Sequence, residues 1–363
     1  MTAVLVETGI DSGAIWHYGD PLREGRALVE GRALTQLSSL AVIKVSGSTR
    51  LQWLHLLLTQ SCENAQPGDS LDALILTPNG HIEFGLHLVD DGHAAWIVSD
   101  RATKQGLLDY LKLMVFTYDV TISDVSEEFT VLGGIGKPPV VGDAAVVWRA
   151  GASFATIDPS LDKYVPQRPA PWPAFELVVP RDRVAALLAD HGAAGMWAWE
   201  AARIAAGVPR VVVDADHRSL PHELGIIGEA VHLRKGCYRG QEAVARTYNL
   251  GKPPRTLVLL HLDGASEALP SAGAAVSVGG TETGTVTSVS RHYELGSIAL
   301  AIVKRDFDAD VTASIDGGFS ASVQPVVVVP DETNPVVQFR REMRANMSAL
   351  NSDRRTAPPA PPA

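Results

Sequence analysis

The spacing of apolar positions changes several times between residues 40 and 122. Residues 40–45 alternate loosely, as a strand does on its way into a turn at Gly47. Ser48 stands where a helix N-cap belongs, and Leu51, Leu54, Leu57 and Leu58 follow at helical spacing. Residues 71–76 and 82–89 are strand-like runs joined by Pro78-Asn79-Gly80, a turn signal in which each residue type favours a bend. Residues 94–99 form another apolar run. Asp100 is placed to cap a helix carrying Leu107, Leu108, Leu111 and Met114, and residues 120–122 return as strand. This order predicts an α+β sheet with helices on one face.

Glycine and proline recur from Gly133 to Pro173, and residues 167–173 read as a loop or linker, so a division between two subdomains falls near 130–173. Residues 175–179 then predict a strand, 181–190 a helix, and 195–206 a longer helix stopped by Gly207 and Pro209. Residues 211–228 have no clear period. Past Pro253-Pro254, the stretches 257–262, 275–278, 284–290, 298–303 and 323–329 are short strands between glycine turns, the rhythm of a small barrel or sandwich. Residues 336–350 predict a last helix, and the Pro- and Ala-rich residues 351–363 a disordered tail. The expected organisation is residues 1–250 in two subdomains, a β-barrel over 255–330, and a helix with a tail over 331–363.

The 363 residues suffice for two or three domains with a substantial core. A formal net charge of −10 disfavours a large phosphate-binding surface, so direct nucleic-acid binding is not expected. Arg234, Lys235, Arg239, Arg246, Lys252 and Arg255 nevertheless make a local basic cluster. The first ten residues lack the basic start and apolar run of a signal peptide, and no apolar stretch approaches the ~20 residues of a membrane helix. The two cysteines, Cys62 and Cys237, sit far apart in different contexts, which fits reduced thiols and a cytoplasmic location.

Cys237 lies in Lys235-Gly236-Cys237-Tyr238-Arg239-Gly240-Gln241-Glu242, between two glycines and beside positive charge. Two readings stand. Cysteine is ordinarily buried as a small hydrophobe. The polar, charged flanks instead suggest a turn that presents the thiol, with Arg234, Lys235 and Arg239 favouring the thiolate.

The string Lys-Gly-Cys-Tyr-x-Gly-Gln-Glu resembles the signature of the YgfZ-type folate-binding proteins, relatives of the glycine-cleavage T-protein (aminomethyltransferase). The resemblance extends to His17-Tyr18-Gly19, to residues 37–47, to the run from Leu54 through Thr59-Gln60, and to Thr77-Pro78-Asn79-Gly80-His81-Ile82. It continues through Gly284-Thr285-Val286-Thr287-Ser288 and Gly296-Ser297-Ile298-Ala299-Leu300-Ala301, similar to the superfamily's C-terminal barrel. It implies a T-protein-like multidomain arrangement, a tetrahydrofolate or derivative as cofactor, and a role in iron–sulfur cluster assembly or repair in client enzymes, including tRNA-modifying ones. Cys237 is then the working thiol, assisted by Lys235. Trp199 and Arg203, on the helix before Gly207, are the implied folate contacts, the indole by stacking and the guanidinium by pairing with the glutamate tail. Tyr238, Arg239, Gln241, Glu242 and Arg246 are expected to orient the motif or contact the cofactor.

One departure from the family pattern touches the folate pocket, where an aromatic position before the Val45-Ser46-Gly47 strand falls on Leu40, and two departures from the T-protein bear on chemistry. Paired acids become Glu83-Phe84, and a pterin-gripping glutamate becomes Ala205. The last two argue against efficient aminomethyl transfer, which is the alternative activity and leaves open whether any folate chemistry is catalysed. The histidines show no metal-ligand spacing, and without a Cys-x-x-Cys pair one thiol cannot hold an iron–sulfur cluster alone, so no metal ligands are assigned.

Overall fold

The computed structural model describes residues 3–142, 144–151, 168–250, 253–264, 267–307 and 312–327. The expected helix at 336–350, the tail, Lys252 and the end of the last predicted strand lie outside the described residues.

An antiparallel sheet in the order Ser70–Leu76, Ile82–Asp90, Ala94–Asp100, Leu40–Ser46, Thr121–Asp124 forms the first layer. Helices Arg50–Leu57 and Lys104–Leu113 cover its apolar face, burying Trp53, Leu54, Leu107 and Leu111 against Ile43, Ile75 and Ile97. Each large apolar side chain buried in this way contributes ~1.5–3 kcal/mol. The predicted strands and helices are present, but both predicted caps do other work. Ser48 donates its backbone N–H and hydroxyl to Asp119 (3.1 and 2.6 Å), and Thr49 is the N-cap residue. Gly47 sits at φ +122°, where a Cβ would lie 2.0 Å from the Asp119 carbonyl, so the turn requires glycine. Asp100 makes no cap bond, because its carboxylate accepts from Arg210 instead.

The second sheet runs Val146–Arg149, Ala174–Pro180, Phe129–Ile135, Leu34–Gln36, Ala193–Ala194, with the last pair parallel. It uses chain that glycine content had suggested was loop. Gly133 and Gly134 are strand residues, and a Cβ on either would lie 2.6 Å from the Trp199 ring or 2.3 Å from the Phe175 ring. These glycines mark close packing rather than a break. An unpredicted helix, Pro21–Val29, starts with Pro21 in its first turn and with Asp20 accepting from the Arg23 N–H (3.0 Å). Helix Met196–Ala205 packs against it and leads to Gly207 at φ +67°, the left-handed stop the sequence predicts. Residues 181–191 split into a 3-10 turn, Arg181–Arg183, and a helix, Val184–His191.

The C-terminal strands close into a six-stranded barrel in the order Arg255–Leu262, Gly296–Lys304, Thr281–His292, Ala275–Val278, Ala313–Ile315, Phe319–Pro325. Ala313–Ile315 is too short for its alternation to be read in sequence. Leu257, Leu259 and Leu300 pack with Leu224, Ile227 and Val244, which seats the barrel on the rest of the molecule.

Candidate functional site

A cavity of about 370 Å³ lies between the first sheet, the second sheet and helix Met196–Ala205. Strands Ser70–Leu76, Ile82–Asp90 and Ala94–Asp100 supply one wall, including His87 and Asp100. The second sheet supplies Trp148 and Glu176, and the helix supplies Trp199, Glu200 and Arg203. Trp199 is buried and meets Trp172 edge to face, with ring centroids 5.2 Å apart. Three tryptophans thus give the cavity flat apolar surface suited to a planar ligand.

Its charged groups are largely closed upon each other. All five N–H donors of Arg203 have acceptors: Glu200 twice (2.9 and 2.5 Å), Asp214 (2.9 Å), the Val208 carbonyl (3.1 Å) and the Ser288 hydroxyl (2.8 Å). Arg210 spans Asp11 and Asp100, and Arg168 joins Glu229 to the Gly207 carbonyl. His87 is different. Its Nδ1 lies 2.9 Å from Glu176 Oε2, its Nε2 lies 3.6 Å from Asp72 Oδ1, and its ring stacks flat on Trp148 at 3.7 Å. Burial alone would lower its pKa, but the charge and hydrogen bond of Glu176, with Asp72 behind, raise it to about 9. At neutral pH His87 is an imidazolium.

The cysteine motif lies elsewhere. Cys237 is exposed and does not line the cavity. Its neighbours are each fastened. Lys235 is buried, and its ammonium donates to the His55 carbonyl in the last turn of helix Arg50–Leu57 and to the Leu58 and Gln60 carbonyls just past it. Tyr238 is buried in the core beneath the barrel. Arg239 pairs with Glu83 at 3.1 Å and lies over the Tyr110 ring. Gly240, at φ +84°, approaches so closely that a Cβ would lie 2.6 Å from the Thr77 carbonyl and 3.0 Å from Gly80 Cα. A helix, Gln241–Leu250, follows immediately.

No protein-family profile matches the chain. The tRNA-modifying protein YgfZ of Aliivibrio fischeri is 26% identical over 316 residues, covering 82% of this chain and 93% of that protein. A putative chloroplastic transferase of Arabidopsis thaliana is 25% identical over 306 residues, which is 75% of this chain and 66% of that protein. Aminomethyltransferase T of the Bartonella henselae glycine cleavage system superposes with a TM-score of 0.69 at 18% identity, covering 89% of this chain and 92% of that one. This chain is YgfZ-like, on the T-protein fold.

In the YgfZ-like chain the expected site residues separate into two groups. Trp199 and Arg203 line the cavity, as does Leu40. Tyr238, Arg239, Gln241, Glu242 and Arg246 do not. Three expected roles are corrected. Arg203 has no donor left for a glutamate tail. Lys235 serves neighbouring backbone carbonyls rather than the Cys237 thiol. Tyr238 is a core residue, so it does not touch a cavity ligand. Glu242 and Arg246 are exposed and pair with each other across one helical turn at 3.1 Å. The basic cluster is also more neutral than its sequence suggests, since Arg255 pairs with Asp216 and Glu223.

The sequence reading missed Trp148, Trp172, His87 and Glu176. Val146-Val147-Trp148-Arg149 carried a usable signal, four residues dense in β-formers, obscured by the glycines and prolines around it. Among the described residues no helix is long and apolar enough to cross a membrane, and no cluster of three metal-ligating side chains occurs.

Proposed function

We propose that this YgfZ-like chain is a cytoplasmic folate-binding accessory protein that supports assembly or repair of iron–sulfur clusters in client enzymes, tRNA-modifying ones among them. The observation that carries the reading is the presentation of Cys237. Its thiol is exposed, while Lys235, Tyr238, Arg239 and Gly240 anchor the loop around it. A thiol held this way supplies one ligand of a cluster that needs about four, the others coming from the client or a small thiol. Tetrahydrofolate, or a derivative, occupies the tryptophan-lined cavity.

Tetrahydrofolate titrated into the protein should quench tryptophan fluorescence saturably, and a folded Trp199→Ala variant should lose most of that quench. In a strain lacking the gene, Cys237→Ser should fail to restore cluster-dependent enzyme activities that the wild type restores. Full rescue by folded Cys237→Ser would remove the thiol from the function. The T-protein fold favours a second reading, aminomethyl transfer to folate. Glu83, the remaining acid for that chemistry, pairs with Arg239 and does not line the large cavity. Glycine-cleavage substrates should therefore yield no methylene transfer above background. Turnover abolished by Glu83→Gln would reverse this order, because a positioned carboxylate contributes ~10²–10⁴-fold as a general acid or base.

A further inference from the structure

Glu200, Asp100 and Glu229 at the cavity are each engaged by an arginine. The cluster of His87, Glu176 and Trp148, where the two sheets face each other, is less complete. Glu176 is buried, and its Oε2 meets His87 Nδ1, but among the described residues no donor reaches Oε1. The buried Trp148 indole N–H has no acceptor either. Trp148 covers one face of the His87 ring, yet about a third of the His87 side chain, 35%, stays open, and it lines the cavity.

Each feature selects chemistry. An imidazolium backed by an indole is an electron-poor plate, which attracts the face of an electron-rich ring. A carboxylate oxygen that faces a cavity without a protein donor is free to accept from a ligand amine or ring N–H. Both requirements meet in a flat heterocycle carrying an exocyclic amine beside a ring N–H. We propose that His87 and Glu176, with Trp148 behind them, recognise the heterocyclic end of the bound cofactor, His87 as stacking platform and Glu176 Oε1 as acceptor for its N–H edge. This deepens the folate reading and rests on it. The heterocycle then lies at the second-sheet end of the cavity.

The test uses three probes under anaerobic conditions: tetrahydrofolate, 6,7-dimethyltetrahydropterin for the heterocycle alone, and p-aminobenzoylglutamate for the remainder. Wild type should bind all three, the two fragments more weakly than tetrahydrofolate. Folded Glu176→Gln and His87→Gln variants should each lose about tenfold or more in affinity for the tetrahydropterin. Their affinity for p-aminobenzoylglutamate should not change. Either folded variant suffices for the test, and a merely structural role would not separate the two fragments. If wild type binds tetrahydrofolate but both folded variants hold the tetrahydropterin within twofold of wild type, the assignment is overturned while the folate reading stands. The assignment also falls if wild type binds p-aminobenzoylglutamate and not the tetrahydropterin. If wild type binds no tetrahydrofolate, both fall together.

Discussion

Replacing Arg203 by methionine should destabilise this protein far more than it weakens any ligand. The guanidinium is almost fully buried and joins three elements: its own helix through Glu200, the short turn Val211–Asp214 through Asp214, and the barrel strand Thr281–His292 through Ser288. The Asp214 side chain has no exposed surface, so without Arg203 its buried charge keeps only neutral donors, the Arg210 backbone N–H and the Thr287 and Ser288 hydroxyls. Removing one partner of such a pair costs ~3–5 kcal/mol, a large share of the ~5–15 kcal/mol typical of folded domains. Urea denaturation of wild type, Arg203→Met, Asp214→Asn and the double variant forms a cycle that reads the pair directly. The singles should each lose stability by that order, and the double should lose much less than their sum. A loss below ~1 kcal/mol for Arg203→Met, or strict additivity, would refute the structural role. An arginine kept for a ligand's tail would give the reverse pattern, with little change in the free protein and a marked fall in affinity.

Cys62 is fully buried, and burial pushes its thiol up to about 12 although Lys235 pulls the other way, so in Cys237→Ser an alkylating reagent at pH 8 should label nothing until denaturant is added. Rapid native labelling of that variant would contradict the burial. Gly240→Ala should destabilise by more than ~1 kcal/mol, because the new methyl meets the Thr77 carbonyl at a backbone angle unfavourable to alanine; an unchanged denaturation midpoint would show that the hairpin yields. For His87 the folded pKa is raised to about 9, so its contribution to stability is complete below the ordinary ~6.5 and fades as pH climbs through 9. Because a third of the side chain is open, solvent screening reduces this to ~1–2 kcal/mol. Lys235, lowered to about 8 by burial, contributes a slope of opposite sign above pH 8, so the effect is read as wild type minus His87→Gln. A flat difference between pH 6 and 10 would mean that the Glu176 pair does not hold the proton.

The first sheet, its two helices and most of the barrel were legible because their apolar periods are local and uninterrupted. The second sheet was not. Gly133 and Gly134 read as loop residues when the partners that need their missing side chains, Trp199 and Phe175, lie 66 and 41 positions away. The same limit applies to function. Cys237 could be singled out because its glycines and charges adjoin it, whereas the roles of Lys235 and Arg203 are fixed by carbonyls and carboxylates from other elements. His87, Glu176 and Trp148 come from three strands in two sheets, and nothing about any one of them alone announces the cluster.

The contact between the turns at Gly80 and Gly240 has an evolutionary consequence. A Cβ on Gly80 would lie 2.7 Å from the Ala243 methyl, and one on Gly240 would lie 3.0 Å from Gly80 Cα. Neither position can gain a side chain unless the facing segment retreats, so the two turns are free to change only as a pair. An insertion in the hairpin between Leu76 and Ile82 would therefore shift the seat of the cysteine loop as surely as an insertion in the loop itself. A lineage keeping a thiol at Cys237 must also keep the length of a hairpin more than 150 residues upstream, a constraint that motif comparison at the cysteine alone would miss.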